Sequence, residues 1–161
     1  MKNATYITIG ALVALAAVNT ASAQTATQTV TFQVTAINQI AVTGTPSLVI
    51  NAAAAGSAPT SVTASGNTWS VTTNQSGASI TASIPTAMPA GLTLSANLTA
   101  PAGATSTGLT ALGATAVNVV TGITKLNAAA LALSYQLDAT AAAGVVTSST
   151  RVVTYTITGG V

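Results

Sequence analysis

Residues 151–158 read RVVTYTIT and show the clearest alternation of apolar and hydroxyl-bearing side chains in the sequence. Val153, Tyr155 and Ile157 fall on one face, and the threonines between them fall on the other. Side chains two residues apart lie on the same face of a β-strand, so this pattern is typical of a strand with one buried face. We therefore predict that the chain closes with a half-buried strand.

The same period of two recurs along most of the remaining chain. Ala-rich residues 128–132 resemble a helix by composition, but the alternation of Leu131, Leu133, Tyr135 and Leu137 favours a strand. The other predicted strands cover residues 29–36, 47–50, 67–73, 78–84, 92–98 and 115–120. About eight short strands separated by turn residues predict an all-β fold, a single antiparallel β-sandwich of the immunoglobulin-like kind.

The sequence also predicts the structure of two connections between strands. Gln75, Ser76 and Gly77 separate two alternating segments, so they predict a hairpin turn. Residues 101–114 are a low-complexity mixture of Gly, Ala, Thr and Ser, and we expect an irregular loop there.

The N-terminal segment has the features of an export signal. Lys2 precedes an apolar run at residues 7–18, which is too short to span a bilayer, and Ala21-Ser22-Ala23 fits an A-x-A cleavage site. We predict a signal peptide at residues 1–23 and a mature domain at residues 24–161. That domain would be secreted to the extracellular space or cell surface and would have no membrane span. The alternative is a retained N-terminal anchor.

The mature chain is almost free of charge. After residue 23 its charged side chains are Lys125, Asp138 and Arg151, and the sequence contains no His, Cys or Glu. General acid–base chemistry, nucleophilic triads and metal shells need more of these groups, so we expect neither an enzyme, nor a cofactor, nor a metal site. A basic patch for nucleic acid is also missing. A surface this poor in charge does little to keep copies apart, which favours self-association.

A few single residues invite a binding or modification role. Trp69 could stack on a sugar ring, but it shares a face with Val71, so we predict a core anchor, as for Tyr135 and Tyr155. Asn74 and Asn97 begin triplets of the N-glycosylation pattern, which arise often by chance in a Ser/Thr-rich chain.

The three charged side chains allow two further hypotheses. Lys125 could form an isopeptide crosslink with Asp138 as helper, but that chemistry requires a buried Lys, and we expect a solvated one. Asp138 and Arg151 could pair across neighbouring strands, and an exposed pair of this kind would contribute ~0.2–1 kcal/mol.

Three segments together resemble a known class of protein: the leading segment 29–36, the segment NTWSVTTN at residues 67–74, and the closing segment 151–158. The chain resembles secreted β-sandwich subunits of surface filaments, namely pilins joined by donor-strand exchange and related bundling-pilus and biofilm-fibre proteins. The disulfide common in chaperone–usher pilins is absent.

The resemblance implies a mechanism of assembly. It implies a sandwich that lacks one strand and therefore has a hydrophobic groove with unpaired edge groups. The candidate donor strand at residues 24–36 of a neighbouring copy would fill that groove, head to tail, and form a homopolymer of the pilus or fimbria type. Val30, Phe32, Val34 and Ala36 would then form the subunit interface. The strand could instead pair within its own chain. The competing hypothesis is a secreted or cell-surface carbohydrate-binding or adhesin module that contacts a cell surface or other cells.

Overall fold

The structure, a computed structural model, describes residues 22–161. The chain divides into two units, Met1–Gln33 and Val34–Val161, and every assigned strand belongs to the second unit. The predicted signal peptide lies outside the described residues except for its last two positions. In the described part of the chain, no helix is long and apolar enough to cross a membrane.

The second unit is built from nine strands, which are numbered in chain order. They are β1 (Asn38–Thr43), β2 (Val62–Thr73), β3 (Ala78–Ser83), β4 (Leu92–Leu98), β5 (Thr105–Ser106), β6 (Thr110–Ala111), β7 (Val117–Ile123), β8 (Leu126–Ala139) and β9 (Thr154–Thr158). A short 3-10 turn, Ala141–Ala143, follows β8.

The strands form two sheets. One sheet has the order β1-β2-β8-β4-β6, the other has the order β5-β7-β3-β9, and all pairs are antiparallel. The predicted all-β sandwich is therefore confirmed. The Ala-rich start of β8 is a strand, as the leucine alternation predicted. It pairs with β2, and β4 joins the other side of β8 from Leu133 onward.

The core lies on the inward faces of the two sheets. In β3 the buried side chains are Ala78, Ile80 and Ala82, and the residues between them are half-buried. Each large apolar side chain that is fully buried contributes ~1.5–3 kcal/mol to folding. The largest fully buried side chains are Trp69, Ile80, Ile84, Leu98, Ile123, Val71, Val119 and Val120.

The predicted hairpin at Gln75-Ser76-Gly77 is wrong. The turn does join β2 to β3, but β2 pairs with β1 and β8, whereas β3 pairs with β7 and β9. The chain therefore passes from one sheet to the other at this turn. Turn residues of this kind occur both in hairpins and in connections between sheets. They reverse the direction of the chain but do not determine with which strand the following strand pairs.

Two other local predictions need correction. The predicted loop at residues 101–114 contains the short strands β5 and β6, which extend the two sheets at one side. Residues 47–50 form no strand in the described chain, although Leu48 and Ile50 are half-buried and the residues beside them are exposed. Their alternation predicted the facing of the side chains correctly, but a strand also needs a hydrogen-bonding partner.

Glycine is required at the turn before β4. Gly91 has a φ of +79°, and a Cβ placed there would lie 2.8 Å from the backbone nitrogen of Ala143. Gly103 has almost the same φ, +81°, but a Cβ there would meet nothing within 4 Å. Both substitutions to Ala place a side chain in the left-handed region, so their difference isolates the contact.

We expect Gly91→Ala to lower the free energy of unfolding by ~1–3 kcal/mol more than Gly103→Ala does, because backbone atoms cannot move aside as a flexible side chain can. Urea unfolding of the two variants measures this difference. Equal losses would show that the contact near Ala143 is relieved without cost.

Candidate functional site

The segment before the first strand exposes its apolar side chains. No strand is assigned between residues 22 and 37 of the described chain. Val30, Phe32 and Val34 are 73%, 89% and 78% exposed, and Ala36 is exposed as well. Exposed apolar side chains are ordinary when scattered, but these four would lie on one face of an extended strand. Among the described residues, the predicted strand at residues 29–36 thus has no strand partner.

The last residues of this segment are fixed at the turn between β2 and β3. The side-chain Oδ1 of Asn74 accepts a hydrogen bond from the backbone nitrogen of Ile37 at 2.8 Å, and its Nδ2 donates to the carbonyl oxygen of Thr35 at 2.7 Å. Ile37 and Asn74 also line a shallow pocket with Lys125. We call this region, residues 37, 72–74 and 125–127, the Lys125 end of the sandwich.

A larger groove lies among the segments that flank the edge strands. It has a volume of about 710 Å³ and contains no charged side chain among its lining residues. We call it the apolar groove. Its lining consists of Leu48, Val49, Ile50, Asn51, Ala52, Ala53, Pro59, Met88, Leu92, Leu137, Ala139, Thr140, Ala141, Ala143, Gly144, Val145, Val146, Thr147, Ser148 and Ser149.

The walls of the apolar groove have free backbone groups. One wall, residues 47–51, follows edge strand β1, and the other, residues 145–149, precedes edge strand β9. Among the described residues, neither wall makes a backbone hydrogen bond. Edge groups of this kind are a template for pairing with an added strand.

Edge strand β9 is shorter than the alternating segment in the sequence. Side chains at Arg151, Val153, Tyr155 and Ile157 are half-buried and those between them are exposed, but the strand itself begins at Thr154. Its neighbour β3 ends at Ser83, so the preceding residues have no ladder partner in the described chain. In residues 151–153, which lie before β9, inward and outward side chains therefore alternate as in a strand, but the backbone is not paired with another strand.

Trp69 and the two tyrosines face the interior. Trp69 is 0% exposed, and its Nε1 donates a hydrogen bond to the carbonyl oxygen of Thr99 at 3.1 Å. Tyr135 is buried on β8 and Tyr155 is half-buried on β9, so they come from opposite sheets, and their hydroxyls are 3.0 Å apart. None of the three presents a ring to solvent for stacking on a sugar.

The tyrosine pair predicts a loss of stability in alkali. Burial raises the pKa of both Tyr135 and Tyr155 above the ordinary value of 10.0, and for Tyr155 the hydrogen bond to Tyr135 raises it further. In the unfolded chain both hydroxyls ionise near pH 10, whereas in the folded chain they stay neutral. The stability that they contribute is therefore present below about pH 10 and falls as the pH rises beyond it.

We expect the urea midpoint of the mature chain to fall between neutral pH and about pH 11, and to fall less steeply in Tyr155→Phe. At neutral pH the same variant should lose ~1–3 kcal/mol, because the Tyr135 hydroxyl loses its partner. Identical pH profiles for the two proteins would show that the pair does not remain neutral in the folded state.

The charged side chains do not form the predicted pair. Asp138 accepts hydrogen bonds from Ser61 Oγ and from Gln136 Nε2, the latter at 3.0 Å. Arg151 instead donates from Nε to the carbonyl oxygen of Ala87 at 3.1 Å. Each charge is satisfied by neutral groups, so neither residue needs the other as its counter-ion.

The side chains of Lys125, Asn74 and Asn97 differ in how far they are exposed to solvent. The Lys125 side chain is exposed, which does not provide the buried environment that an isopeptide crosslink requires. Asn97 is exposed near the end of β4. Asn74 is half-buried, and both ends of its amide are already hydrogen-bonded at the Lys125 end.

The sequence pattern singled out the leading segment, and the resemblance to filament subunits implied a hydrophobic groove, but neither identified the residues that line the apolar groove. The alternation of Leu48 and Ile50 favours a strand of the sandwich, and the sequence pattern indicates no role for Val145 and Val146. The available signal was the small loop residues around two short apolar segments. Composition alone could not indicate that these segments lie beside each other without a strand between them.

Comparison with known proteins found no matching family model, no matching curated protein and no matching solved structure.

Proposed function

We propose that this chain is a structural subunit of an extracellular surface filament of the pilus or fimbria type. Each subunit adds its N-terminal segment as a strand to a neighbouring copy, so that copies join head to tail. The observation that carries the proposal is the exposure of Val30, Phe32 and Val34, which are 73%, 89% and 78% exposed although they share one face of an extended segment.

The edges of the two sheets can accept the added strand. β1 ends one sheet and β9 ends the other, so an added strand can form backbone hydrogen bonds at either edge. Burying the side chain of Phe32 and the two valines on a neighbour would contribute ~1.5–3 kcal/mol each. A contact that joins two different surfaces of identical copies does not close on itself, and it generates an open fibre.

The residue inventory supports a structural role over a catalytic one. Residues 24–161 contain the three charged side chains Lys125, Asp138 and Arg151, and they contain no His, Cys or Glu. These groups cannot supply a nucleophile with its base or a metal shell. The predicted signal peptide would carry such a subunit out of the cell.

The alternative of a carbohydrate-binding or adhesin module has less support. It depends on an exposed aromatic ring, and Trp69 is fully buried. Phe32 is an exposed ring, but it lies within a run of alternating apolar side chains that suits a strand better than a sugar platform.

Negative-stain microscopy and sedimentation of the mature chain, residues 24–161, test the proposal. We expect unbranched fibres and a sedimentation profile that shifts to large species as concentration rises. A monomer at all concentrations, or a dimer that grows no further, would contradict the proposed function.

A further inference from the structure

We propose that the pocket at the Lys125 end binds the carboxylate of a sugar acid, such as a uronic acid unit of an anionic polysaccharide. The pocket has a volume of about 530 Å³, and small-molecule sites in proteins have volumes of about 300–1,000 Å³. The proposal does not rest on the proposed function, because none of the lining residues belongs to the segment 24–36 and each separate subunit carries the pocket.

Lys125 has a backbone conformation that is unfavourable for lysine. Its φ is +43°, in the left-handed region, and the other positive-φ positions of the described chain are glycines except for Ala130. Such a conformation is costly for most side chains and persists only where the surrounding structure imposes it. Only Thr124 and Lys125 connect β7 to β8, and the backbone nitrogen of Lys125 donates a hydrogen bond to the carbonyl oxygen of Gln75 at 2.9 Å. Glycine or asparagine would suit this turn better, which points to a role for the lysine side chain.

The exposed ammonium group of Lys125 has no acidic side chain near it in the described chain. Asp138 is the only acidic side chain in residues 24–161, and it lies twelve residue steps beyond Leu126, the first residue of β8. Twelve steps of a strand cover ~40 Å. Asp138 also accepts hydrogen bonds from Ser61 and Gln136 already. A cation without a counter-ion at a pocket attracts an anion from solution.

Two polar side chains of the pocket are free to bind the hydroxyl groups of a sugar. Thr72 on β2 and Asn127 on β8 are opposite each other in the antiparallel pair, so their side chains are ~5 Å apart on one face of the sheet. Both are exposed, and neither side chain makes a hydrogen bond within the described chain. The other two polar residues of the lining are fixed, since Thr73 Oγ1 donates to Asn38 Oδ1 at 2.6 Å and the Asn74 amide is bonded at both ends.

The lining favours a sugar carboxylate over a phosphate group. Lys125 is the one cation among the lining residues, which matches the single negative charge of a carboxylate. A phosphate group carries a charge of about −1.5 to −2 and is ordinarily held by several basic groups. Ile37 and Leu126 add apolar surface for the C–H groups of a sugar ring. Such a site needs no exposed aromatic ring.

Saturation-transfer NMR tests the ligand class with two sugars that differ at one group. D-glucuronate and D-glucose have the same ring, but only glucuronate has a carboxylate. We expect a saturable glucuronate signal with the dilute mature chain, and a half-saturating concentration for glucose that is at least about tenfold higher. Added salt should weaken the binding of glucuronate, because salt screens the attraction between exposed charges. Inorganic phosphate should displace glucuronate only at a concentration well above that of glucuronate itself.

Two variants separate the side chain of Lys125 from its backbone conformation. Lys125→Asn removes the charge and introduces a residue that tolerates the left-handed region. We expect it to raise the half-saturating concentration of glucuronate at least about tenfold. We also expect it to raise the urea midpoint of unfolding, because the strain at this turn is relieved. Ala130→Gly is the matched control, since it relieves the same kind of conformation outside the pocket and should leave glucuronate binding unchanged.

Weaker binding of glucuronate by a more stable Lys125→Asn protein supports the proposal. Absence of glucuronate binding, equal binding of glucose, or displacement by an equal concentration of phosphate would overturn the assignment to a sugar carboxylate. Unchanged binding in Lys125→Asn would overturn the assignment to this pocket. A lower urea midpoint for that variant would overturn it as well, because the lysine would then serve the fold. All these measurements use dilute subunits, so their outcome is distinct from the presence or absence of filaments.

Discussion

Phe32→Asp should abolish filament formation and leave the sandwich folded. In the separate subunit Phe32 is 89% exposed, so a carboxylate at this position costs nothing in the fold. In the filament the same side chain would be buried among apolar residues with no partner, and burying an unpaired ion costs on the order of several kcal/mol. We expect the concentration needed for assembly to rise by about a hundredfold or more.

The neighbouring residue provides a matched control. Thr31 lies one position away, so its side chain points to the opposite face of an extended strand. Thr31→Asp adds the same charge to the same segment and should assemble much more readily than Phe32→Asp. Microscopy and sedimentation compare the two variants, and circular dichroism checks that both are folded. If both variants assemble equally, or fail equally, the facing of this segment is not what controls assembly.

Trp69→Ala should remove a large part of the stability of the sandwich. Trp69 is fully buried on β2, and its Nε1 donates a hydrogen bond to Thr99 in the connection that follows β4. Truncation of a buried aromatic side chain typically costs ~3–5 kcal/mol, and a domain of this size has ~5–15 kcal/mol in total. The variant should unfold at a much lower urea concentration and should be prone to aggregation through its open core.

Two further variants separate the causes of that loss. Trp69→Phe retains a large ring but lacks the donor, so it should lose less than Trp69→Ala. Thr72→Ala changes an exposed side chain on the same strand and should change the free energy of unfolding by less than ~0.5 kcal/mol. A loss for Trp69→Ala as small as that for Thr72→Ala would contradict the assignment of Trp69 to the core.

The sequence predicted the elements in which one face is clearly more apolar than the other. In β3 the alternation of Ile80 with hydroxyl side chains matched the observed burial, and in β8 the spacing of Leu131 and Leu133 overrode an Ala-rich composition that suggested helix. These segments are predictable because a shift by one residue would expose every core side chain.

The sequence failed where a feature depends on a partner elsewhere in the chain. The turn at Ser76 reverses the chain in either a hairpin or a passage between sheets, and local chemistry does not distinguish the two. Leu48 and Ile50 alternate like a strand, but no strand of the described chain pairs with them. The residues that line the apolar groove come from segments far apart in the chain, so the sequence alone could not identify them.

Hydrogen–deuterium exchange at residues 29–36 tests the central claim most directly, because an added strand places its backbone amides in hydrogen bonds. The exchange is measured in filaments and in dilute subunits of the mature chain. The proposed strand addition predicts slow exchange in filaments and fast exchange in the dilute subunit. Fast exchange in the filaments, or slow exchange already in the dilute subunit, would contradict it.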